Sequence, residues 1–423
     1  MGDNMNFNKA TIGTGGSALV ERCQVCGDAG LESVLFLGYL PPVNTMSPIG
    51  SRPNEQPAYP AELLRCPRCE LVQLGLIVDP SIIFPPHYAY TSGTTRILRD
   101  NFAELYREVM ATYPIGPEDL VVDVGSNDGT LLGNFLKGGH RVCGVEPTNA
   151  SKIAVAAGIT TINRFFGPES AAEVRRTHGQ ARIVTAANVF AHIENVHEIV
   201  DSIAGLLTDD GIFISESHYL APLVETLQYD TIYHEHLRYY SLTSLSYLLG
   251  MHGLEVIHAK QIPTHGGSIR VYAARKGTRP VTAAPAEILA AERQALTPAA
   301  YVEFKKRVCA SKLDLLAMVR DIRRAGARIY AIGAPSRAST LVNYVGLDDS
   351  TLDCVLEITG SYKIGKYMPG TLIPVLDEAR LFEDQPEYAL LLSWHIGEEL
   401  AAKLRQLGYR GQFIVPLPTP RIL

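Results

Sequence analysis

The stretch DLVVDVGSNDGTLLGNFLKGGHRVCGVEPTNAS at 119–151 constrains the fold more than any other part of the chain. A short apolar run, a glycine-containing turn, a helical segment and a second apolar run ending in an acid form the βαβ opening of a doubly wound sheet. Further strand and helix candidates follow at ARIVTAANVFAHI, GIFISES, LEVIHAKQIP and GSIRVYAARK. THGG joins the last two as a hairpin, so a mostly parallel sheet is expected to end in an antiparallel edge strand. NFAELYREVMATY reads as a helix ahead of it. Beyond residues 276–300, an Ala- and Pro-rich linker leading into a long charged helix, ARIYAIGAPSRASTLVNYVG repeats the order strand, turn, helix. TLDCVLEIT, YALLLSWHI and GQFIVPLP add buried strands, which makes a second, smaller α/β unit.

A chain of 423 residues exceeds one hydrophobic core, and 46% apolar content suffices for two or three. Net charge is −6 with the two signs mixed, so no basic face points to nucleic acid or to an anionic membrane. A small-molecule partner and a monomer or weak oligomer are expected. MGDNMNFNKATIGTGG lacks the apolar core of a signal peptide and the Ser or Thr of a myristoylation signal, and no run of eighteen apolar residues follows. A cytoplasmic protein is expected.

Cys23, Cys26, Cys66 and Cys69 form two C-x2-C knuckles, in ERCQVCGDAG and LRCPRCELVQ, separated by 39 residues that include the Pro-rich loop PPVNTMSPIGSRPNEQPAYP. Two such knuckles assemble one tetrahedral zinc site, and four thiolates close its coordination, so the metal is expected to be structural. The scattered Cys143, Cys309 and Cys354 read as buried thiols.

The first α/β turn is Gly125-Ser126-Asn127-Asp128-Gly129, without the central glycine of the dinucleotide fingerprint G-x-G-x-x-G. Asp123 precedes it, and Glu146 ends the next strand 21 residues after Gly125, where a carboxylate accepts both hydroxyls of a ribose. S-adenosylmethionine suits this pattern, having a ribose diol and an aminocarboxylate but no phosphate. The alternative is a tight turn with two solvated acids.

In YHEHLRYYS at 233–241, two histidines, a glutamate and three tyrosines share nine positions. Buried without partners, each such group costs about 1–3 kcal/mol, so the segment is exposed or lines a polar pocket. As a helix it would align Tyr233, His236 and Tyr240 on one face and pair Glu235 with Tyr239. A histidine near its ordinary pKa is a ready base, an adjacent glutamate holds its tautomer, and a tyrosine hydroxyl donates to a developing oxyanion. A structural role and a second metal are the alternatives. The C-terminal turn Gly333-Ala334-Pro335-Ser336-Arg337 opens a helix, so that its amides with Arg337 either receive a diphosphate or form a packing turn beside a solvated arginine.

The paired knuckles, DVGSNDGTLL, NVFAHI, DTIYHEHLRYYS, HGGSIRVY, IGAPSRASTLVNY, YKIGKYMPGTLIPV and LLLSWHI together resemble the sugar C-methyltransferases of deoxysugar biosynthesis, in the same order over residues 20–418. The resemblance implies an α/β protein with a zinc-binding domain at 1–85, a class I methyltransferase domain at 86–277 and a C-terminal Rossmann-like domain at 278–423 that helps hold a nucleotide sugar. It implies methylation of a carbon of a keto-deoxy nucleotide sugar, C-3 of a 4-keto-6-deoxy sugar. His236 is then the base, with Tyr233 and Glu235 beside it, His192 across the pocket, and Tyr88 or Tyr90 of HYAY reaching in. His87 and Ala89 depart from the family pattern there. Asn188 joins the donor site; His234, Tyr240, His265, Arg337, Lys366 and Tyr367 join the substrate site. Methyl transfer to oxygen or nitrogen on the same scaffold, an NAD-dependent nucleotide-sugar oxidoreductase or epimerase, and a zinc-knuckle interaction module are the competing readings.

Overall fold

A computed structural model of the chain describes residues 16–54, 56–84 and 91–423; the expectations for residues 1–15, Tyr88 and Tyr90 lie outside the described residues. The central sheet has seven strands in the order Leu254–Ile262, Ser268–Arg275, Leu207–His218, Ala181–Ala187, Leu120–Val124, Arg141–Val145, Thr161–Ile162. All run parallel except Ser268–Arg275, which is antiparallel to both neighbours. The chain moves outward from Leu120–Val124 and then returns to its other side with Ala181–Ala187. A crevice at the carboxyl ends of these strands follows, which is where doubly wound sheets bind ligands.

The antiparallel strand is therefore not the edge. The hairpin folds inward and leaves Leu254–Ile262 outermost. Ser268–Arg275 is buried along nearly its whole length, although Arg270 sits at its middle. Arg270 is neutralised where it lies: Nε donates to Glu216 Oε1 at 2.6 Å, Nη1 to Glu104 and Glu108 at 2.6 and 2.7 Å, and Nη2 to Asn101 Oδ1 at 2.9 Å. Arg270 and Glu216 face each other across the strand pair, so a one-residue slip would strand a buried charge.

The N-terminal unit is an antiparallel sheet in the order Arg238–Tyr239, Val72–Leu74, Tyr59–Arg65, Glu32–Leu40. Its fourth strand comes from the middle of the chain. Leu237 separates YHEH from the strand Arg238–Tyr239, so that segment is turns and a short strand and not a helix, and the one-face alignment of Tyr233, His236 and Tyr240 that a helix would give does not form. Pairing with Val72–Leu74, supported by Leu74 N–H donating to Leu237 O at 2.9 Å, outweighs local helix formation.

The C-terminal sheet runs Val375–Asp377, Cys354–Glu357, Ile329–Ile332, Tyr388–Leu391, Gln412–Val415, Arg421–Ile422, parallel except for the last strand. Residues 276–300 are only partly a linker. Ala284–Ala295 is helical, as its alanines favour, and buried Glu292 accepts from the Leu242 and Thr243 amides at 2.5 and 2.9 Å, capping the helix Leu242–Met251. Cys143 and Cys354 are buried, but Cys309 is exposed, on the outer face of the helix Pro298–Arg324. Leu35, Leu63 and Leu74 of the N-terminal sheet, Leu223 and Tyr239 of the middle segment, and Phe304 and Leu341 of the C-terminal unit share one apolar core. No helix among the described residues is long and apolar enough to cross a membrane.

Candidate active site

The turn after Leu120–Val124 is built on two left-handed glycines. Gly125 has φ +68° and Gly129 φ +77°, and a Cβ on Gly125 would come within 2.7 Å of Val189 Cγ2. Gly125 N–H donates to Val145 O at 2.9 Å, which ties the turn to the neighbouring strand. Glu146 lies just beyond: Oε2 accepts from Asn127 N–H at 2.9 Å and Oε1 from Thr148 N–H at 2.8 Å. The acid is thus oriented and buried rather than solvated. Asp123 accepts from the Thr185 hydroxyl at 2.6 Å, and burial pushes its carboxyl up to about 7. Ser126 Oγ is buried and meets no partner among the described residues. Asn188, at φ +59°, follows the strand Ala181–Ala187 and donates its N–H to Glu216 O at 2.8 Å. Asp123, Gly125, Ser126, Asn127, Gly129, Glu146 and Asn188 all stand at or just beyond the carboxyl ends of adjacent strands, a cradle of amides and carboxylates.

Three of the proton-handling residues converge beside this cradle. The rings of His192 and His236 lie 5.0 Å apart and those of Tyr233 and His236 4.2 Å apart. His236 Nδ1 is 2.9 Å from Thr231 O. A carbonyl only accepts, so Nδ1 carries the proton and Nε2 keeps a lone pair. Burial and the neighbouring His192 hold the His236 imidazole well below its ordinary pKa, and burial brings His192 down to about 4. Both rings are neutral at pH 7.

Glu235 does not orient His236. Its carboxylate faces the other way, accepting from Asn44 Nδ2 of the proline-rich loop at 2.5 Å, and burial pushes it up to about 7 against the pull of Asn44 and Lys363. His234 rests on the N-terminal sheet, with Nε2 3.3 Å from Pro60 O and its ring against Tyr59. Tyr240 is 1% exposed in the core beside Phe190, so no substrate reaches it. Arg337 is neither solvated nor open to a diphosphate: Nε and Nη2 hold the two oxygens of Asp230 at 2.7 and 2.8 Å, and Trp394 Nε1 donates to the same carboxylate at 2.7 Å. Removing one partner of such a buried pair costs about 3–5 kcal/mol. Tyr367 docks the proline-rich loop, its N–H donating to Ser47 O at 2.8 Å and its hydroxyl accepting from Gly50 N–H at 3.1 Å, and Lys366 lies 5.0 Å over the Tyr362 ring.

His265 lies where the middle and C-terminal units meet, its carbonyl 3.5 Å from Arg337 Nη1, and burial and Arg337 bring its imidazole to about 4. His218 and His395, both lowered to about 3 chiefly by burial, stand with it. The motif LLLSWHI contains His395 and Trp394, but nothing local distinguishes them from an ordinary strand end. Asp230 and Asn44 carried no such signal either, because their partners lie more than 100 positions away; Thr231 takes part through its backbone carbonyl, and Lys363 bonds the carbonyl of Ala334, contacts that residue type does not announce.

The four cysteines of the knuckles come together with all sulfurs within 4.8 Å of one another. Cys23 and Cys69, and Cys26 and Cys66, stand 3.4 Å apart, close to the separation of about 3.8 Å that four thiolates at 2.3 Å from zinc require. The residues fit the metal.

Family models match in the same order: a zinc binding domain over 23–84, a methyltransferase domain over 95–259, and a C-methyltransferase C-terminal domain over 263–418. The C-methyltransferase NovU of Streptomyces niveus is 33% identical over 409 residues, spanning 96% of this chain and 97% of that protein. The chain belongs to this C-methyltransferase family. Solved structures resemble it more distantly: magnesium protoporphyrin IX methyltransferase of Synechocystis at 16% identity and TM-score 0.32 (42% of this chain, 79% of that one), and mitomycin 7-O-methyltransferase MmcR at 18% and 0.34 (42% and 53%). The protein is an S-adenosylmethionine-dependent C-methyltransferase, and its four-cysteine cluster lies within the zinc-binding domain.

Proposed function

We propose that this enzyme methylates a carbon next to the ketone of a nucleotide-linked keto-deoxy sugar, C-3 of a 4-keto-6-deoxy sugar, through an enolate generated by His236. The observation that supports this most directly is the Nδ1–H bond to Thr231 O, which leaves a neutral Nε2 lone pair beside Tyr233, His192 and the donor cradle. Methyl transfer to a hydroxyl or amine needs a base alone. Transfer to carbon also needs a donor for the enolate oxygen, because the C–H is far too weakly acidic for imidazole otherwise.

The turn 125–129 and Glu146 would hold S-adenosylmethionine, which would supply the electrophilic methyl group. His236 Nε2 takes the proton from the carbon next to the ketone, and that C–H electron pair moves into the enolate. Tyr233 or His192 donates a hydrogen bond to the enolate oxygen. The enolate carbon then forms its bond to the methyl carbon as the sulfur–methyl bond breaks, and the proton on His236 returns to solvent. In this reading the units 1–85, 86–277 and 278–423 bind zinc, transfer the methyl group and hold the nucleotide sugar in turn, with no chemical role for zinc. His236→Asn should abolish solvent deuterium exchange at the carbon next to the ketone, whereas His234→Asn should retain it. Methyl transfer that continues without exchange in His236→Asn would show that no such enolate forms.

A further inference from the structure

The base segment is gripped from the C-terminal unit. The helix Ser336–Val345 presents Arg337 and Thr340, three residues apart and so on one face. Arg337 holds Asp230 through both carboxylate oxygens, and Thr340 Oγ1 donates to Ile232 O at 3.1 Å. These two contacts flank Thr231, whose carbonyl accepts from His236 Nδ1–H at 2.9 Å and from the Tyr239 hydroxyl at 3.3 Å. We infer that Arg337 and Thr340 are positioning residues that fix the tautomer of His236 from another domain, by clamping the residues on either side of its hydrogen-bond acceptor.

Local structure does not suffice for this. Tyr229–Thr231 is a single turn of 3-10 helix, held by bonds such as Thr231 N–H to Gln228 O and Ile232 N–H to Tyr229 O, both at 3.0 Å. A turn this short is marginal by itself. It also carries the fully buried Asp230 carboxylate, which stays in place only with its arginine. Trp394 adds a second C-terminal donor to Asp230, while Arg337 Nη1 reaches His265 O at 3.5 Å and His395 Nδ1 at 3.3 Å. The clamp thus joins the helix Ser336–Val345 to the segments that carry Asp230, His265 and His395. Freed from it, the Thr231 carbonyl turns away and the imidazole proton redistributes to Nε2, which removes the lone pair that abstracts the substrate proton.

The inference rests on His236 as the base for its effect on rate, but not for its effect on the ring. Nitrogen-15 NMR of histidine-labelled, zinc-loaded full-length protein reads the tautomer without any substrate. Wild type should show His236 as a single Nδ1–H tautomer; Thr340→Val and Arg337→Met should convert it to a mixture. Turnover should fall about 10-fold for Thr340→Val and further for Arg337→Met, with KM little changed and with partial rescue by Arg337→Lys. Thr340→Val exchanges a hydroxyl for a methyl and decides the matter if Arg337→Met does not fold. A pure Nδ1–H tautomer in both variants, or an Nε2–H tautomer in wild type, overturns the inference. A shifted tautomer with undiminished turnover upholds the clamp and refutes His236 as the base.

Discussion

Glu146→Gln tests the donor cradle at its most determinate point. Each oxygen of Glu146 accepts a backbone N–H, from Asn127 at 2.9 Å and Thr148 at 2.8 Å, and both are also the acceptors expected for a ribose diol. An amide has one oxygen. Whichever way it turns, one of those N–H groups faces an NH2 and loses a charge-assisted bond, a loss of about 1.5–3 kcal/mol. One ribose hydroxyl loses its anionic acceptor as well. A deficit of about 2–3 kcal/mol in the bound state corresponds to a Kd for S-adenosylmethionine raised about 30- to 150-fold. Titration calorimetry reads the Kd, and thermal unfolding without donor reads the part that falls on the turn itself. Glu146→Asp, which keeps the charge but withdraws it by one methylene, should lie between the two. Binding by Glu146→Gln within about twofold of wild type would mean that the acid only caps the turn and that the ribose lies elsewhere.

Two further outcomes follow from buried acids and from the metal knuckles. The Glu235 carboxyl, raised from 4.5 to about 7 by burial, keeps its proton in the fold over a pH range in which the unfolded chain has lost it. Its stabilising contribution is present in full below pH 4.5 and is lost as pH rises through 7, so Glu235→Gln should gain on wild type across that window, by on the order of 3 kcal/mol. Melting temperatures at pH 5 and 8 check this, and a difference that is independent of pH would refute it. Zinc removal by a chelator, or Cys69→Ser, should lower both melting temperature and turnover, because the knuckle unit supplies Val72–Leu74, the partner of Arg238–Tyr239 next to His236. Full turnover in protein shown to be zinc-free would disprove that coupling.

Much of the fold was legible because its signals are local. Buried parallel strands are continuous apolar runs, a left-handed turn demands glycine at 125 and 129, and paired knuckles need only close spacing within each pair. The contact between the first turn and Glu146 was legible for the same reason, since turn and acid belong to one βαβ unit and Glu146 reaches Asn127 across 19 positions. The strand order at the sheet edge was not, because a hairpin lying outside or inside the edge has the same local pattern. Only the buried network around Arg270 distinguishes the two.

YHEHLRYYS shows where the division falls. The residue types alone indicated a base and a donor, and His236, Tyr233 and His192 do meet. The remaining roles were assigned by contacts from distant parts of the chain: Val72–Leu74 drew Arg238–Tyr239 into a strand, Asn44 turned Glu235 away, and Arg337 closed on Asp230. Composition and periodicity determined which chemical groups and which elements this protein has. Which groups face the reacting carbon was decided by tertiary structure, because a polar side chain in a buried segment goes to whichever partner satisfies it, and those partners come from other domains.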